Sequence, residues 1–435
     1  MTTRSPFLTV RFGAYHHRGV PTEDAELTHI GPGTPCGEYF RRFWQPICFS
    51  DDLRDVPRRV SILGEELVVF RDLRGHVGLL ELHCPHRGTS LEYGLISERG
   101  IRCCYHGWLF DVDGALLETP GEPPESTVKD RLCHGAYPTH EYKGIVFAYL
   151  GPPAQQPPFP TYDSLERPGY RIIPGQQYFY PCNWLQILEN AMDPVHTAFL
   201  HTIVSGSQFT DEFGKVPELD FIETPVGIIY IATRRVDQNV WARMVENVLP
   251  NLQQVAPIWE DGHRPHPFDG PMMSRWIVPQ DDTHTMFIEF RHVSEKEGLT
   301  PTWWADRNVM LPGQLANGDS HEASQRRPGD YEAQVSQRPV AVHALEHLGA
   351  TDRGVIMFRQ QLRKGIRAVQ AGEAPPGLCV KAGAVIPTYC NDTIVHVPMA
   401  PTAEEDRQVM RATGRSLAES YLEHPPSLAG VTVPR

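Results

Sequence analysis

The sequence predicts an α+β protein in two parts: an all-β N-terminal domain and an α+β C-terminal domain with a central antiparallel sheet. Three observations carry this. Short apolar runs separated by hairpin signals fill residues 45–150. A proline-rich segment, Gly151 to Pro160, then interrupts the pattern. Beyond it, long strand-like runs alternate with amphipathic stretches of helical period.

Composition bounds what such a chain can be. Its 435 residues suffice for two or three domains and a sizeable core. With 40% hydrophobic and 21% charged residues it is globular rather than disordered. A net charge of −13 argues against nucleic acid, which requires a basic face. Nine cysteines without a pairing rhythm point to a reducing cytoplasm rather than a disulfide scaffold. Met1 to Val20 has no apolar signal-peptide region, and no run approaches the length of a membrane span.

In chain order, residues 1–44 read as an arm and a short helix, the helix over Pro35 to Trp44. Strands are expected at Val60–Leu63 and Glu66–Phe70 around Gly64-Glu65, at Val77–His83, at Tyr105–Asp111 and Ala115–Glu118 around Asp113-Gly114, and at Gly144–Leu150. Residues 151–160 form a semi-rigid linker. Within 161–435, strand pairs are expected at Ile228–Val236 with Val240–Val248 and at Arg275–Val278 with Met286–His292. Helices are expected at Val355–Gln370 and Ala400–Tyr421.

The chemistry concentrates in two stretches. Cys84-Pro85-His86 and Cys103-Cys104-Tyr105-His106 make the pattern C-x-H-x16-C-x-x-H. Two Cys and two His match a Rieske [2Fe–2S] cluster, with both thiolates on one iron and both imidazoles on the other. A structural zinc site uses the same residue types. Zinc pairs usually run Cys-Cys then His-His, however, and here each loop supplies one of each. Only Cys103 has the C-x-x-H interval to His106, which leaves Cys104 as a small buried apolar residue. Gly88 and Gly107 allow close backbone approach to the cluster, and Trp108 shields it or fills the core.

The second stretch runs from Asn183 to His201. Asp193-Pro194 reads as a helix start, with Asp as cap and Pro at the first position. His196 and His201, five residues apart, fall roughly 140° apart on a regular helix. They converge only on a distorted one, such as a π-bulge. Two His and a carboxylate would form the facial triad of O₂-activating iron. Asp319, Glu322, Asp330 and Asp352 are all candidates for the third position.

C-P-H-R-G at 84–88, C-x-Y-H-G-W at 103–108 and E-N-x-x-D-P-x-H-x4-H at 189–201 together resemble the α (terminal oxygenase) subunits of Rieske non-haem iron ring-hydroxylating oxygenases. Gly31 to Pro35 and Leu348 to Ile356 are similar to the phthalate-dioxygenase-like branch, which includes aromatic O-demethylases. The resemblance implies a [2Fe–2S] cluster held by Cys84, His86, Cys103 and His106. It implies a mononuclear non-haem Fe(II) held by His196, His201 and Asp330. Asp330 has a second reading as a helix N-cap, and Asp352 is read as the cap of the following helix. Asp193 would bridge a cluster His of one subunit to an iron His of the next, and Asn190 would lie near the iron.

The implied activity uses O₂ and reductase-supplied electrons to hydroxylate or O-demethylate an aromatic compound. The substrate expected is a carboxylated one, either a methoxylated lignin-derived acid or a phthalate undergoing cis-dihydroxylation. No dinucleotide or plant-type ferredoxin motif is present, so NAD(P)H would act through a separate flavin or ferredoxin reductase. A head-to-tail homotrimer, or a multiple of it, is implied. Arg234, Arg235, Arg243 and Arg275 are candidate carboxylate ligands or structural charges. His263, His266, Cys379 and Cys390 are a remote candidate for a further metal site. The rival functions are a Rieske electron carrier and a zinc-stabilised binding protein.

Overall fold

The computed structural model describes residues 8–9, 11–13, 22–258, 263–296, 298–316 and 320–426. Two short helices open it, α1 (Ala25–Thr28) and α2 (Pro35–Phe40). α2 is shorter than the Pro35–Trp44 expectation, because Trp44 begins β1 (Trp44–Phe49). β2 (Arg58–Ile62), β3 (Glu65–Arg71) and β4 (Val77–Glu81) form one antiparallel sheet. β5 (Leu95–Ile96), β6 (Ile101–Arg102), β7 (Leu109–Phe110) and β8 (Leu116–Glu118) form a second. β9 (Thr139–Tyr142) and β10 (Ile145–Tyr149) join β1 in a third. The β2–β3 turn falls on Leu63-Gly64, one residue earlier than the hairpin signal suggested, with both residues at positive φ. Residues 105–108, expected as strand, are loop, and the strand begins only at Leu109.

After the linker, β11 (Thr161–Tyr162) pairs in parallel with β20 (Val385–Ile386). The main sheet is antiparallel and nine-stranded. Its path is β12 (Tyr170–Tyr180), β19 (His284–Ser294), β18 (Met273–Asp281), β16 (Leu252–Val255), β15 (Asn239–Val248), β14 (Gly227–Val236) and β13 (Glu218–Glu223). β17 (His266–Asp269) and β21 (Asn391–His396) extend it through β15. Helix α3 (Trp184–Asn190) is capped by Asn183, whose side chain accepts the Leu185 N–H. The short α4 (His196–Ala198), α5 (His321–Arg326) and α6 (Asp330–Val335) follow in the chain. The long α7 (Arg353–Gln370) and α8 (Ala403–Glu423) pack on β13 and β14.

The two β-rich parts share a core. Phe147 and Trp276 meet edge to face at 5.4 Å, and Gln45 and Asn251 exchange buried amide hydrogen bonds. Leu63 and Gly64 donate to the Pro279 and Gln280 carbonyls at 2.9 and 2.8 Å, locking the β2–β3 turn to the end of β18. At the start of α7, a Cβ on Gly354 would lie 2.4 Å from the Phe221 ring and 3.0 Å from the Met192 carbonyl. That close approach seats α7 directly behind the Asp193–His201 segment.

Glu246 on β15 is fully buried, with Thr224 Oγ1 and the Tyr389 N–H donating to it at 2.9 and 2.6 Å. Burial raises its carboxyl from about 4.5 to about 8. The folded chain therefore holds this proton more tightly than the unfolded chain. The associated stability is present below about pH 4.5 and is lost as pH rises towards 8. Glu246→Gln has no proton to lose, so its melting temperature relative to wild type should climb from pH 5 to pH 8. A constant difference across that range would show that Glu246 stays ionised.

Candidate metal centres

The two N-terminal loops have the same backbone construction. The Cys84 N–H donates to the Thr89 carbonyl at 2.9 Å, and the Gly88 N–H returns to the Cys84 carbonyl at 2.8 Å. In the second loop the Cys103 N–H reaches the Trp108 carbonyl at 2.8 Å and the Gly107 N–H the Cys103 carbonyl at 3.1 Å. Each glycine has φ near +75°, a conformation costly to other residues, which lets the chain fold back under its cysteine. Both sulfurs are buried in an apolar cluster with Leu82, Ile101, Trp108 and Phe110. His86 and His106 are half-buried at the tip, their rings 4.5 Å apart. Trp108 is buried and stacks on His86 with centroids 4.5 Å apart and planes within 5°.

Burial pushes the Cys84 thiol up to about 11, while the His86 and Arg87 N–H groups donate towards its sulfur. A metal must therefore displace the thiol proton. Among the described residues, the groups whose ligand atoms converge within 4.8 Å lie elsewhere. One Cys and one His from each loop suit a two-iron cluster better than one tetrahedral zinc. Cys104 corrects an expectation: it is exposed, not buried. With Cys103 turned into the core, the two residues between it and His106 face outward, Tyr105 being 55% exposed.

The second site is built around a helix defect. The helix starts later than Asp193-Pro194 suggested, at His196 with Val195 at the N-cap, and the Asp193 carboxylate instead accepts the Val195 N–H at 2.9 Å in the turn ahead of it. α4 then runs directly into a π-helix at Phe199–Val204. The wider turn brings the His196 and His201 rings to 5.2 Å. The two Nε2 atoms lie 3.7 and 3.3 Å from Asp330 Oδ1. His201 Nδ1 is held by Gln208 Oε1 at 2.8 Å. His196 Nδ1 bonds the Asp193 carbonyl, while the Asp193 carboxylate stands off at 3.9 Å and is one-third exposed.

Asp330 is 6% exposed, and its Oδ1 has no hydrogen-bond donor among the described residues. An orphaned carboxylate oxygen facing two imidazole nitrogens is the donor set of a divalent cation site. Burial alone would raise the Asp330 carboxyl, but His201 and His196 outweigh it and hold the group well below the usual range. Burial lowers His196, whereas at His201 the facing Asp330 overcomes burial and raises the imidazole. Asp330 does not cap its helix. Gly329 occupies the N-cap, and its N–H donates to Glu332 at 2.9 Å.

The other carboxylates lie elsewhere. Glu322 is exposed and pairs with Arg326. Asp352 accepts the Gly349 N–H at 2.6 Å ahead of α7. Asp319 falls outside the described residues. The His263/His266 and Cys379/Cys390 pairs form no metal group among the described residues. His263 faces Asp237 and Glu212, and His266 faces Asp392. A second convergent group, Glu189, His343 and Glu346, has Arg359 bonded to both glutamates, which makes it an ion-pair network.

A cleft opens on the His–His–Asp site. Asn190, Phe209, Phe213, Tyr230, Arg243 and Arg275 help line it. Arg243 donates to Tyr230 Oη and the Ala256 carbonyl, each at 2.8 Å. Arg275 Nε donates to Gln253 Oε1 at 2.5 Å and Nη1 to Gln314 Oε1 at 2.8 Å. Gln314 Nε2 in turn donates to Asp330 Oδ2 at 2.6 Å. Arg234 is buried behind the site, donating to Thr197 Oγ1 at 2.8 Å, and Arg235 is spent on Asp406. Sequence reasoning missed Gln208 and Gln314. The first is only seven residues from His201, but no motif marks it, and the second has no local signal at all.

Residues 43–138 match the family described as the Rieske [2Fe-2S] domain. The chain is 44% identical over 418 residues to the tert-butanol monooxygenase / tert-amyl alcohol desaturase oxygenase subunit of Aquincola tertiaricarbonis, covering 91% of this chain and 87% of that protein. It is 39% identical over 383 residues to the phenoxybenzoate dioxygenase subunit alpha of Ectopseudomonas oleovorans, covering 84% and 90%. The solved structure of the Pseudomonas putida CBB5 NdmA QL mutant with caffeine shares the fold, with a TM-score of 0.59 at 20% identity over 77% of this chain and 93% of that one. No helix among the described residues is long and apolar enough to cross a membrane.

Proposed function

The chain belongs to the Rieske non-haem iron oxygenases as a terminal oxygenase subunit, and from that premise we propose that it hydroxylates or oxidatively O-demethylates a carboxylated aromatic compound. Cys84, His86, Cys103 and His106 would hold the cluster, and His196, His201 and Asp330 the mononuclear iron. One observation carries the substrate reading. Arg243 and Arg275 are buried in the wall of the cleft, and their hydrogen bonds go to neutral acceptors. Asp330 and Glu289 favour the charged form of Arg275 without bonding it directly, and an anionic ligand would give the two guanidiniums the carboxylate hydrogen bonds that no described residue supplies.

When bound, the cluster relays single electrons and the mononuclear iron activates dioxygen. The chain's own part is positional. Gln208 and the Asp193 carbonyl take the Nδ1 sides of His201 and His196, leaving both Nε2 atoms to face Asp330 Oδ1. Protein donors on one side leave the opposite face for substrate and O₂. The arginines would anchor the carboxylate, and the carbon presented to the iron would then decide the product. Hydroxylation at a methoxy carbon gives a hemiacetal that collapses to a phenol and formaldehyde.

Electrons would come from a separate flavin or ferredoxin reductase that oxidises NAD(P)H. A head-to-tail homotrimer, or a multiple of it, is supported by exposed apolar residues at two places. Tyr105 stands at the cluster tip, and Phe199, Ile203 and Val204 lie on the π-helix of the iron site. The partly exposed Asp193 carboxylate belongs to the same segment. For the cluster, Cys104→Ser should leave the visible spectrum unchanged while Cys103→Ser bleaches it. The opposite pattern would reassign the ligand.

The reading is tested by supplying aromatic acids, their methyl esters and tertiary alcohols with a surrogate reductase, and scoring formaldehyde against diol. Turnover of acids but not esters supports the carboxylate anchor. Formaldehyde identifies demethylation, and diol identifies ring dihydroxylation. Turnover of tertiary alcohols with none of the acids would overturn the aromatic carboxylate assignment.

A further inference from the structure

We propose that Gln314 is a positioning residue coupling anion occupancy at Arg275 to the way Asp330 presents its carboxylate to the iron. The inference rests on the carboxylate reading above. The Gln314 amide has only one workable orientation. A carboxylate only accepts and a guanidinium only donates, so Nε2 must face Asp330 and Oε1 must face Arg275. The observed bonds are 2.6 and 2.8 Å, and the residue is 5% exposed.

The backbone around Gln314 is fixed as well. Tyr180 Oη donates to its carbonyl at 2.5 Å, and the Tyr331 N–H donates to the neighbouring Gly313 carbonyl at 3.0 Å. A Cβ on Gly329 would fall 2.4 Å from the Gly313 Cα. The two backbones therefore touch, and Gln314 is held directly against the start of the helix that carries Asp330.

This geometry divides the two oxygens of Asp330. Oδ2 is occupied by Gln314, while the orphaned Oδ1 faces the imidazoles. Held this way, the carboxylate offers a metal one oxygen. Released, it can offer two, using a coordination position that would otherwise remain open. The other end of the chain is poised to respond. Nε and Nη1 of Arg275 are committed, and the two Nη2 N–H groups have no acceptor among the described residues. An anion accepting there draws on the same guanidinium that donates to Gln314, and bonds linked in series through a buried site polarise one another.

The test uses the full-length protein with both metals loaded, with benzoate as probe. The readouts are benzoate affinity, iron content and the EPR line shape of the ferrous–nitric oxide adduct with and without benzoate. Gln314→Leu removes both bonds. Gln314→Asn keeps an amide but is one methylene too short to span both partners. Wild type should change line shape on benzoate addition. Both variants should bind benzoate within about threefold of wild type, keep their iron and lose that change. A benzoate-dependent change that persists in both variants overturns the coupling while leaving the carboxylate reading intact. Loss of iron from both would mark Gln314 as a structural prop and also overturn it. Failure of wild type to bind benzoate would remove the carboxylate reading and the coupling with it.

Discussion

Asp330→Ala is expected to empty the mononuclear site while the cluster keeps its colour. Asp330 supplies the site's carboxylate, and its Oδ1 is the atom both Nε2 groups face. Alanine removes that charge and leaves Glu289, opposite on the neighbouring strand, as the carboxylate still acting on the buried Arg275. The loss of a metal centre worth several kcal/mol of charge stabilisation lowers turnover by ~10³-fold or more. The cluster should survive, because its ligands sit in a separate apolar core around Leu82, Trp108 and Phe110. Iron analysis with the visible spectrum checks both halves. An Asp330→Ala protein with full iron and turnover would move the third ligand elsewhere.

Asp193→Asn should do something different: keep both metals and slow the passage of electrons between them. Asparagine retains an oxygen for the Val195 N–H, and the backbone carbonyl still holds His196. Only the negative charge of the partly exposed carboxylate is lost. If that charge orients a cluster histidine of the neighbouring subunit, reoxidation of the reduced cluster should slow by about 10- to 100-fold. Stopped-flow absorbance of the pre-reduced protein mixed with O₂ and substrate reads this directly. Wild-type reoxidation would confine Asp193 to capping the turn.

Much of the architecture was legible because it is locally encoded. Gly64-Glu65 signalled a hairpin whose turn falls one residue earlier, Asp113-Gly114 marks another, and Val355–Gln370 carries a helical stripe that the structure extends only to Arg353. The iron motif was half legible. A five-residue spacing states that a regular helix fails to align His196 with His201, and the π-helix at Phe199–Val204 is what joins them. The long strand at Tyr170–Tyr180 was not foreseen. It contains Pro174 and Gly175, which read as breakers and here accompany a register shift opposite Phe290 and Ile288. The exposure of Cys104 was misread because burial depends on which way a loop folds back, and no residue type records that.

The chain's own letters were enough to determine which chemistry is on offer: two thiol–imidazole loops, a histidine pair behind Asp-Pro, and too few cysteines for staples. Ligand types and short spacings are properties of one segment, so they survive without a fold. What only the folded molecule decided was the meeting of distant segments. It set Asp330, rather than Glu322 or Asp352, against the two histidines, hung Gln314 between that carboxylate and Arg275, and turned two arginines of the central sheet into a cleft wall. Those partners lie on separate elements, and side-chain period describes only the face of its own element. Which faces touch is settled by how the whole core packs.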